Sequence, residues 1–357
     1  MNADECKLGR VTSYALAIGW ALLVGRPILA ADGASDAPAR YSFSEIHMGC
    51  QWKIVLYAGD ETVANRAARA AYERVEELNH VLSDYDAESE LSRLSDTAPS
   101  REPVHVSEDL WKVLEFSQRL SEASHGAFDI TVGPLVKLWR RARRTKNMPR
   151  ADLLAEAREA TDYRALKLDS TTHSAQLIKP HMRLDAGGIG MGYAVDEALA
   201  VFKREGIASA LVDASGDIGV SDAPPGERGW RIAIEPPAGT GDASRFVTLK
   251  NYAITTSGDA FQAVEIDGKR YSHIVDPRTG LGVTGRSAIT VIAPNCITAD
   301  SYTKPICVLG AETGFKLIEG TPGAAAFVER EVDSPDGGSK IESLESKRFH
   351  EFVSVDE

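Results

Sequence analysis

The stretch from Glu61 to Leu82 puts Ala64, Ala67, Ala68, Ala71, Val75, Leu78 and Leu82 on one side of a helix. A stripe with that three-and-four spacing has to be buried against another layer of structure. Just before it, Ile46 to Tyr57 reads as one strand with a bend at Gly49. A strand followed by a one-sided helix restricts the chain to architectures in which sheets pack against helices. The expected class is α/β in the α+β sense, with mixed or antiparallel sheets packed with helices in a single large domain.

The rest of the chain agrees with that class. Ser107, with Glu108 and Asp109, forms an N-terminal cap for a helix whose stripe is Leu110, Val113, Leu114 and Leu120. A segment punctuated by glycine and proline, His125 to Leu135, leads into a basic helical stretch through Arg144. The cluster Arg140, Arg141, Arg143 and Arg144 reads as a solvated face. Further helices are expected at Tyr193 to Arg204 and from Ala299 to Leu309, with short strands between them. Residues 331–357, rich in Gly, Ser and mixed charge beyond Val332, read as a weakly ordered tail.

The N-terminus reads as an export segment. Lys7 and Arg10 precede an apolar run from Val11 to Gly25, and the small residues Ala30 and Ala31 follow. Residues 1–30 are therefore either a cleaved signal peptide or an uncleaved anchor that associates the protein with a membrane, and residues 31–40 are a flexible leader. No lipid-attachment cysteine follows the run, since Cys6 precedes it. An exported, periplasmic or cell-envelope location follows. Cys50, Cys296 and Cys307 lack the spacing of a zinc site and read as mostly buried thiols, with one bridge left open. The formal net charge of -12 over 357 residues opposes a nucleic-acid or polybasic membrane-surface role, so an anionic ligand needs a local positive site.

Polar chemistry collects in four places. Tyr271-Ser-His-Ile-Val-Asp-Pro-Arg-Thr-Gly280 runs from a strand into a tight turn, placing His273, Asp276 and Arg278 on one corner. Leu184-Asp-Ala-Gly-Gly-Ile-Gly-Met-Gly-Tyr193 joins a strand to a helix through glycines. It serves either as a packing turn or as an anion cradle at a helix N-terminus. Ser215-Gly216-Asp217 and Ser257-Gly258-Asp259 are two similar corners at strand ends, where glycine lets a ligand approach backbone. Asp300, read as the opening residue of a helix, is either its cap or a ligand for a hard cation such as Mg²⁺, with Thr303 nearby.

Taken together, Met48-Gly49, Leu82 to Leu94, Phe128 to Leu135, Leu184-Asp-Ala-Gly-Gly188, Ser257-Gly-Asp259, Tyr271 to Gly280 and Ala299-Asp300 resemble the ApbE family of FAD:protein FMN transferases, in order and spacing from about Tyr41 to Val328. The resemblance implies a T-fold-like flavin transferase domain over residues 41–330 that takes FAD as substrate with Mg²⁺. It implies attack by an acceptor threonine on the FMN-side phosphate, release of AMP, and an acceptor that is a membrane redox-complex subunit or exported flavoprotein. By position, Met48, Ser83, Asp84, Tyr85, Phe128, Asp129, Met191, Asp217, Ser257, Gly258, Asp259, Ile274 and Thr303 would bind the nucleotide. Gly188, Asp300 and Thr303 would hold the metal. His273 would act as general base with Asp276 orienting it.

Three positions depart from the family pattern. Cys50 replaces a threonine after Met48-Gly49, Met191 stands where a lysine is frequent, and Lys304 replaces the threonine that assists the metal. These departures leave two alternatives to transfer: hydrolysis of FAD to FMN and AMP, or FAD binding without catalysis.

Overall fold

The computed structural model describes residues 37–234, 245–258, 263–334 and 338–354. The export segment and most of the leader, with Asp259, lie outside them. The chain enters through β1 (Ala39–His47) and β2 (Cys50–Ala58), an antiparallel hairpin closed at Met48-Gly49. Both turn residues have positive φ, 49° and 76°. Consecutive left-handed residues reverse a chain, so the single bent strand expected over Ile46 to Tyr57 is two strands.

In the largest sheet these strands are followed by β3 (Ala210–Ala214), β4 (Asp217–Val220), β5 (Tyr252–Gly258), β6 (Ser287–Ala293), β7 (Ala325–Asp333) and β8 (Ser339–Glu345). The eight lie side by side in that order, each antiparallel to its neighbour. Alternation along β2 sorts the core. Trp52, Ile54 and Leu56 face a large cluster with the helices, while Val55 joins a second cluster with Ile232, Val247 and Phe349 on the opposite face.

The helices that matter for the site are α1 (Glu61–Leu82), α2 (Glu108–Ala123), α3 (Gly133–Thr145), α4 (Gly190–Arg204) and α5 (Cys296–Leu309). The expected α1 stripe is buried throughout, and Asp60 caps the helix by accepting from the Val63 N–H at 2.8 Å. Ser107 caps α2 as expected. The start of α5 is held twice. Asn295 accepts from Thr298 N–H, and Asp196 of α4 accepts from the N–H groups of Cys296 and Ile297 at 2.7 and 2.8 Å. Asp300 therefore does not open this helix. It sits in the second turn, and its carboxylate is available for something other than capping.

The tail is ordered over much of its length. β8 extends the sheet edge, and Phe349 behind it is fully buried against Phe327, ring centroids 5.1 Å apart. An edge strand shows solvent on one face and carries polar residues there, so its composition resembles that of a loop. None of Cys50, Cys296 and Cys307 is in a disulfide. No helix among the described residues is long and apolar enough to cross a membrane.

Candidate functional site

The glycine-rich segment before α4 brings α4 and α5 into unusually close contact. A Cβ on Gly192 would stand 2.4 Å from the Cys296 carbonyl oxygen and 2.7 Å from Asp300 Cβ. Only glycine allows this approach, and it puts the Gly192 N–H 3.1 Å from Asp300 Oδ2. On the other side of the carboxylate, Lys304 one turn later pairs its ammonium with Asp300 Oδ1 and donates at 3.1 Å to the Asp300 carbonyl. The Lys304 stem lies across Gly188, and Phe128 borders the same glycine: a Cβ there would be 3.4 Å from the lysine and 3.6 Å from the Phe128 ring.

Asp217, the first residue of β4, shares this electrostatic environment. Burial pushes its carboxyl up to about 8, Asp300 adds to the rise, and Lys304 with a hydrogen bond from Thr255 opposes it. Burial alone would lower the Lys304 pKa, but Asp300 and Asp217 outweigh it and raise the value above the ordinary range. Asp196 is pushed up to about 7, again by burial, against the two N–H groups it accepts. The result is a cation ringed by buried acids, with 18% of the lysine side chain still open to solvent.

A second cluster is organised by α3. Arg140 pairs with Asp84 and reaches Asp185 Oδ2 at 3.1 Å, and its guanidinium lies 4.2 Å from the centre of the exposed Tyr85 ring. Burial lifts Asp185 to about 6, Asp84 adds to that, and Arg140 opposes it. The Asp185 Oδ1 accepts from the Gly187 N–H at 2.9 Å, linking this cluster to the glycine loop. Ser83 shapes the approach, because its hydroxyl accepts from the N–H groups of Tyr85 and Asp86.

Trp139, the preceding residue of α3, donates its indole N–H to the Gly280 carbonyl at 2.8 Å. That bond anchors the expected turn, in which the Gly280 N–H reaches the Asp276 carbonyl at 2.8 Å and Gly280 has φ 76°. The strand before it ends at Ser272, so His273 lies in the bend itself, and the side chain of Ile274 is buried. Asp276 engages both carboxylate oxygens with Arg278, at 2.9 and 3.0 Å. Arg278, two residues away, supplies a bidentate partner, and the pair holds the turn.

Other expected contacts are also redistributed. Thr303 is fully buried and donates to the Asp300 carbonyl at 2.6 Å, so its hydroxyl proton is used within its own helix. Asp129 accepts from Thr131 N–H, Thr131 hydroxyl and Tyr163 N–H, which makes it a buried clamp between its own loop and Tyr163. Ser257 and Gly258 continue β5 and do not form a corner. Gly258 is required by the Ser287 carbonyl, 2.1 Å from a Cβ placed there, and not by an approaching ligand. Met191 meets Cys50 at 3.8 Å between sulfurs, and Met48 packs at the edge of the same core.

The donors present do not fit a divalent cation. Both Asp300 oxygens are engaged, the Thr303 hydroxyl proton is used within its own helix, and the Lys304 stem covers Gly188. An ammonium beside the carboxylate repels a second cation. Among the described residues no group of three or more His, Cys, Asp or Glu side chains could hold a metal.

Arg140, Asp185, Asp196 and Thr255 were missed as site residues in the sequence. Arg140 was hidden in a basic run that looked solvated, and only Asp185, next to the glycine loop, carried a local signal. The ApbE family model matches residues 48–328. A protein of Klebsiella pneumoniae (strain 342) named FAD:protein FMN transferase is 31% identical over 313 residues, covering 86% of this chain and 87% of that one. The solved apo structure of Pseudomonas stutzeri flavinyl transferase ApbE superposes with a TM-score of 0.77 at 28% identity, covering 90% of this chain and 98% of its own. The flavin transferase ApbE of Vibrio cholerae gives the same TM-score at 30% identity, over 88% and 99%. With the family model spanning most of its length and the fold shared throughout, this chain belongs to the ApbE family.

Proposed function

We propose that this protein transfers the FMN moiety of FAD to a threonine hydroxyl of a partner protein and releases AMP. The observation that carries the reading is the Asp217, Asp300 and Lys304 cluster beside the Gly187-Gly188 loop, in a chain whose relatives are FAD:protein FMN transferases over most of their length. A lysine with an open edge gives a diphosphate the local positive charge that the acidic body lacks. The exposed Tyr85 ring on Arg140 offers aromatic surface to the flat rings of the nucleotide.

In the reaction, the acceptor threonine oxygen bonds to the FMN-side phosphorus, and the bond from that phosphorus to the bridging oxygen breaks. The bridging oxygen leaves with AMP, and the hydroxyl proton passes to the His273 imidazole and then to solvent. The positive charge of Lys304 offsets charge on the departing phosphate. Mg²⁺, which the resemblance implied, enters no step. We further propose that the protein is exported and acts on an envelope redox protein, a reading that rests on the apolar segment after Lys7 and Arg10.

The test is incubation of the purified chain with FAD and an acceptor peptide of the form Asp-Gly-x-Ser/Thr-Gly/Ala-Ala-Thr, followed by mass spectrometry. An acceptor heavier by one FMN, with stoichiometric AMP, is expected. His273→Ala should lower the transfer rate by ~10²–10⁴-fold, the usual contribution of a general base, with FAD affinity kept within a few-fold. FMN and AMP appearing without labelled acceptor would convert the reading to FAD hydrolysis.

A further inference from the structure

The family resemblance implied a divalent metal, and the geometry around Asp300 disagrees with it. Asp300 is 1% exposed and both its oxygens have partners: Oδ2 takes the Gly192 N–H and Oδ1 the Lys304 ammonium. Lys304 also donates to the Asp300 carbonyl, and its stem rests on Gly188, the residue whose carbonyl would complete a metal shell. We propose that the Lys304 ammonium is the built-in cation of this site, so that the protein binds the diphosphate of FAD without a divalent metal. The inference deepens the transferase reading above and rests on it.

The stereochemistry supports this. An ammonium carries three N–H donors, and Asp300 takes two of them. The third is left for a ligand oxygen, and 18% of the side chain is open to solvent. The position is fixed by helix geometry, because residues four apart stand one above the other, which places Lys304 directly over Asp300. Pro305 does not break α5 here: the helix continues to Leu309, and the lysine keeps its turn. Replacing Mg²⁺ by a tethered ammonium exchanges two charges for one but removes the need to recruit an ion. The single charge is held in a buried setting where it is weakly screened.

The experiment uses the purified chain and a Lys304→Thr variant. Mn²⁺ alone is titrated in while free ion is followed by electron paramagnetic resonance. The wild type is expected to leave the ion free, and the variant to take up one equivalent. FAD binding is then measured by calorimetry with EDTA and with Mg²⁺. The wild-type Kd should agree within about twofold between the two buffers, and Lys304→Thr should bind ~10-fold or more weakly in EDTA with Mg²⁺ restoring the affinity, as expected for loss of a charge-assisted hydrogen bond. The wild-type arms decide the matter even if the variant does not fold. Stoichiometric Mn²⁺ uptake by the wild type, or a Kd at least ~10-fold weaker in EDTA, overturns the inference and leaves the transferase reading standing. A wild type that binds FAD in neither buffer overturns both.

Discussion

Replacing Gly192 by alanine is the sharpest probe of how α4 and α5 build the site. The new methyl group would lie 2.4 Å from the Cys296 carbonyl oxygen and 2.7 Å from Asp300 Cβ. Both obstacles sit on the helix next door, so no side-chain rotation relieves the contact and the helices have to separate. Overpacking of this kind costs about 1–3 kcal/mol. Separation also stretches the 3.1 Å bond from the Gly192 N–H to Asp300, and a hydrogen bond to a charged group contributes about 1.5–3 kcal/mol. The better helix propensity of alanine returns at most about 1 kcal/mol. The net loss is therefore ~2–5 kcal/mol, which for a chain of this size lowers Tm by roughly 3–7 °C. Thermal unfolding followed by circular dichroism reads this directly, with Gly59→Ala as the reference because nothing lies within 4 Å of a Cβ there. If Gly192→Ala melted within about 1 °C of the wild type, the helix contact would be soft, contrary to the dense packing expected of a protein interior.

Two further perturbations test the electrostatics. Arg140→Met removes the partner of the buried Asp185 carboxylate, a loss of about 3–5 kcal/mol for a buried pair that partial exposure of Arg140 reduces to ~2–3 kcal/mol. Asp185 already has a raised pKa near 6 and rises further without the arginine, so the fold disfavours its ionisation as pH climbs. Urea denaturation should show a larger loss at pH 8 than at pH 5, and equal losses would refute the assignment. Asp217→Asn imitates the protonated carboxyl that burial favours up to about pH 8. Wild-type Asp217 weakens the fold progressively from the unfolded carboxylate range to its folded pKa, because over that window the unfolded state has released its proton and the folded state has not. The stability of Asp217→Asn relative to wild type should therefore grow between pH 5 and pH 9, and a constant difference would count against the buried environment.

How much could be read before the structure depended on whether a residue's partner was near it in sequence. α1 runs from Glu61 to Leu82 as its stripe indicated, Ser107 caps α2, and the turn from Asp276 to Gly280 forms from its own proline and glycine. Each depends on neighbours within a turn or two of chain. The outcome at Asp300 was read only in part this way: Asn295, a local cap, was passed over, and the second hold on the start of α5 comes from Asp196, about a hundred residues earlier in the chain. Thr303 likewise looked available as a hydroxyl, yet its own helix offers a carbonyl 2.6 Å away. Lys304 was legible as a departure, and the structure adds what it departs towards: a salt bridge on top of Asp300. Ser257-Gly258 lies at a strand end as its sequence indicated, and what the sequence did not show is that Gly258 is pressed against the Ser287 carbonyl.

The adjacent residues Trp139 and Arg140 give α3 a mechanical meaning. One holds the carbonyl of Gly280 and so the bend that carries His273, while the other holds Asp84 and Asp185 beside the glycine loop. Successive residues on a helix point about 100° apart, so these two grips face different segments but share one axis. A small roll of α3 would move the bend that carries His273 and the segment that carries Asp185 and the glycine loop together, giving two distant stretches of chain a single degree of freedom in common.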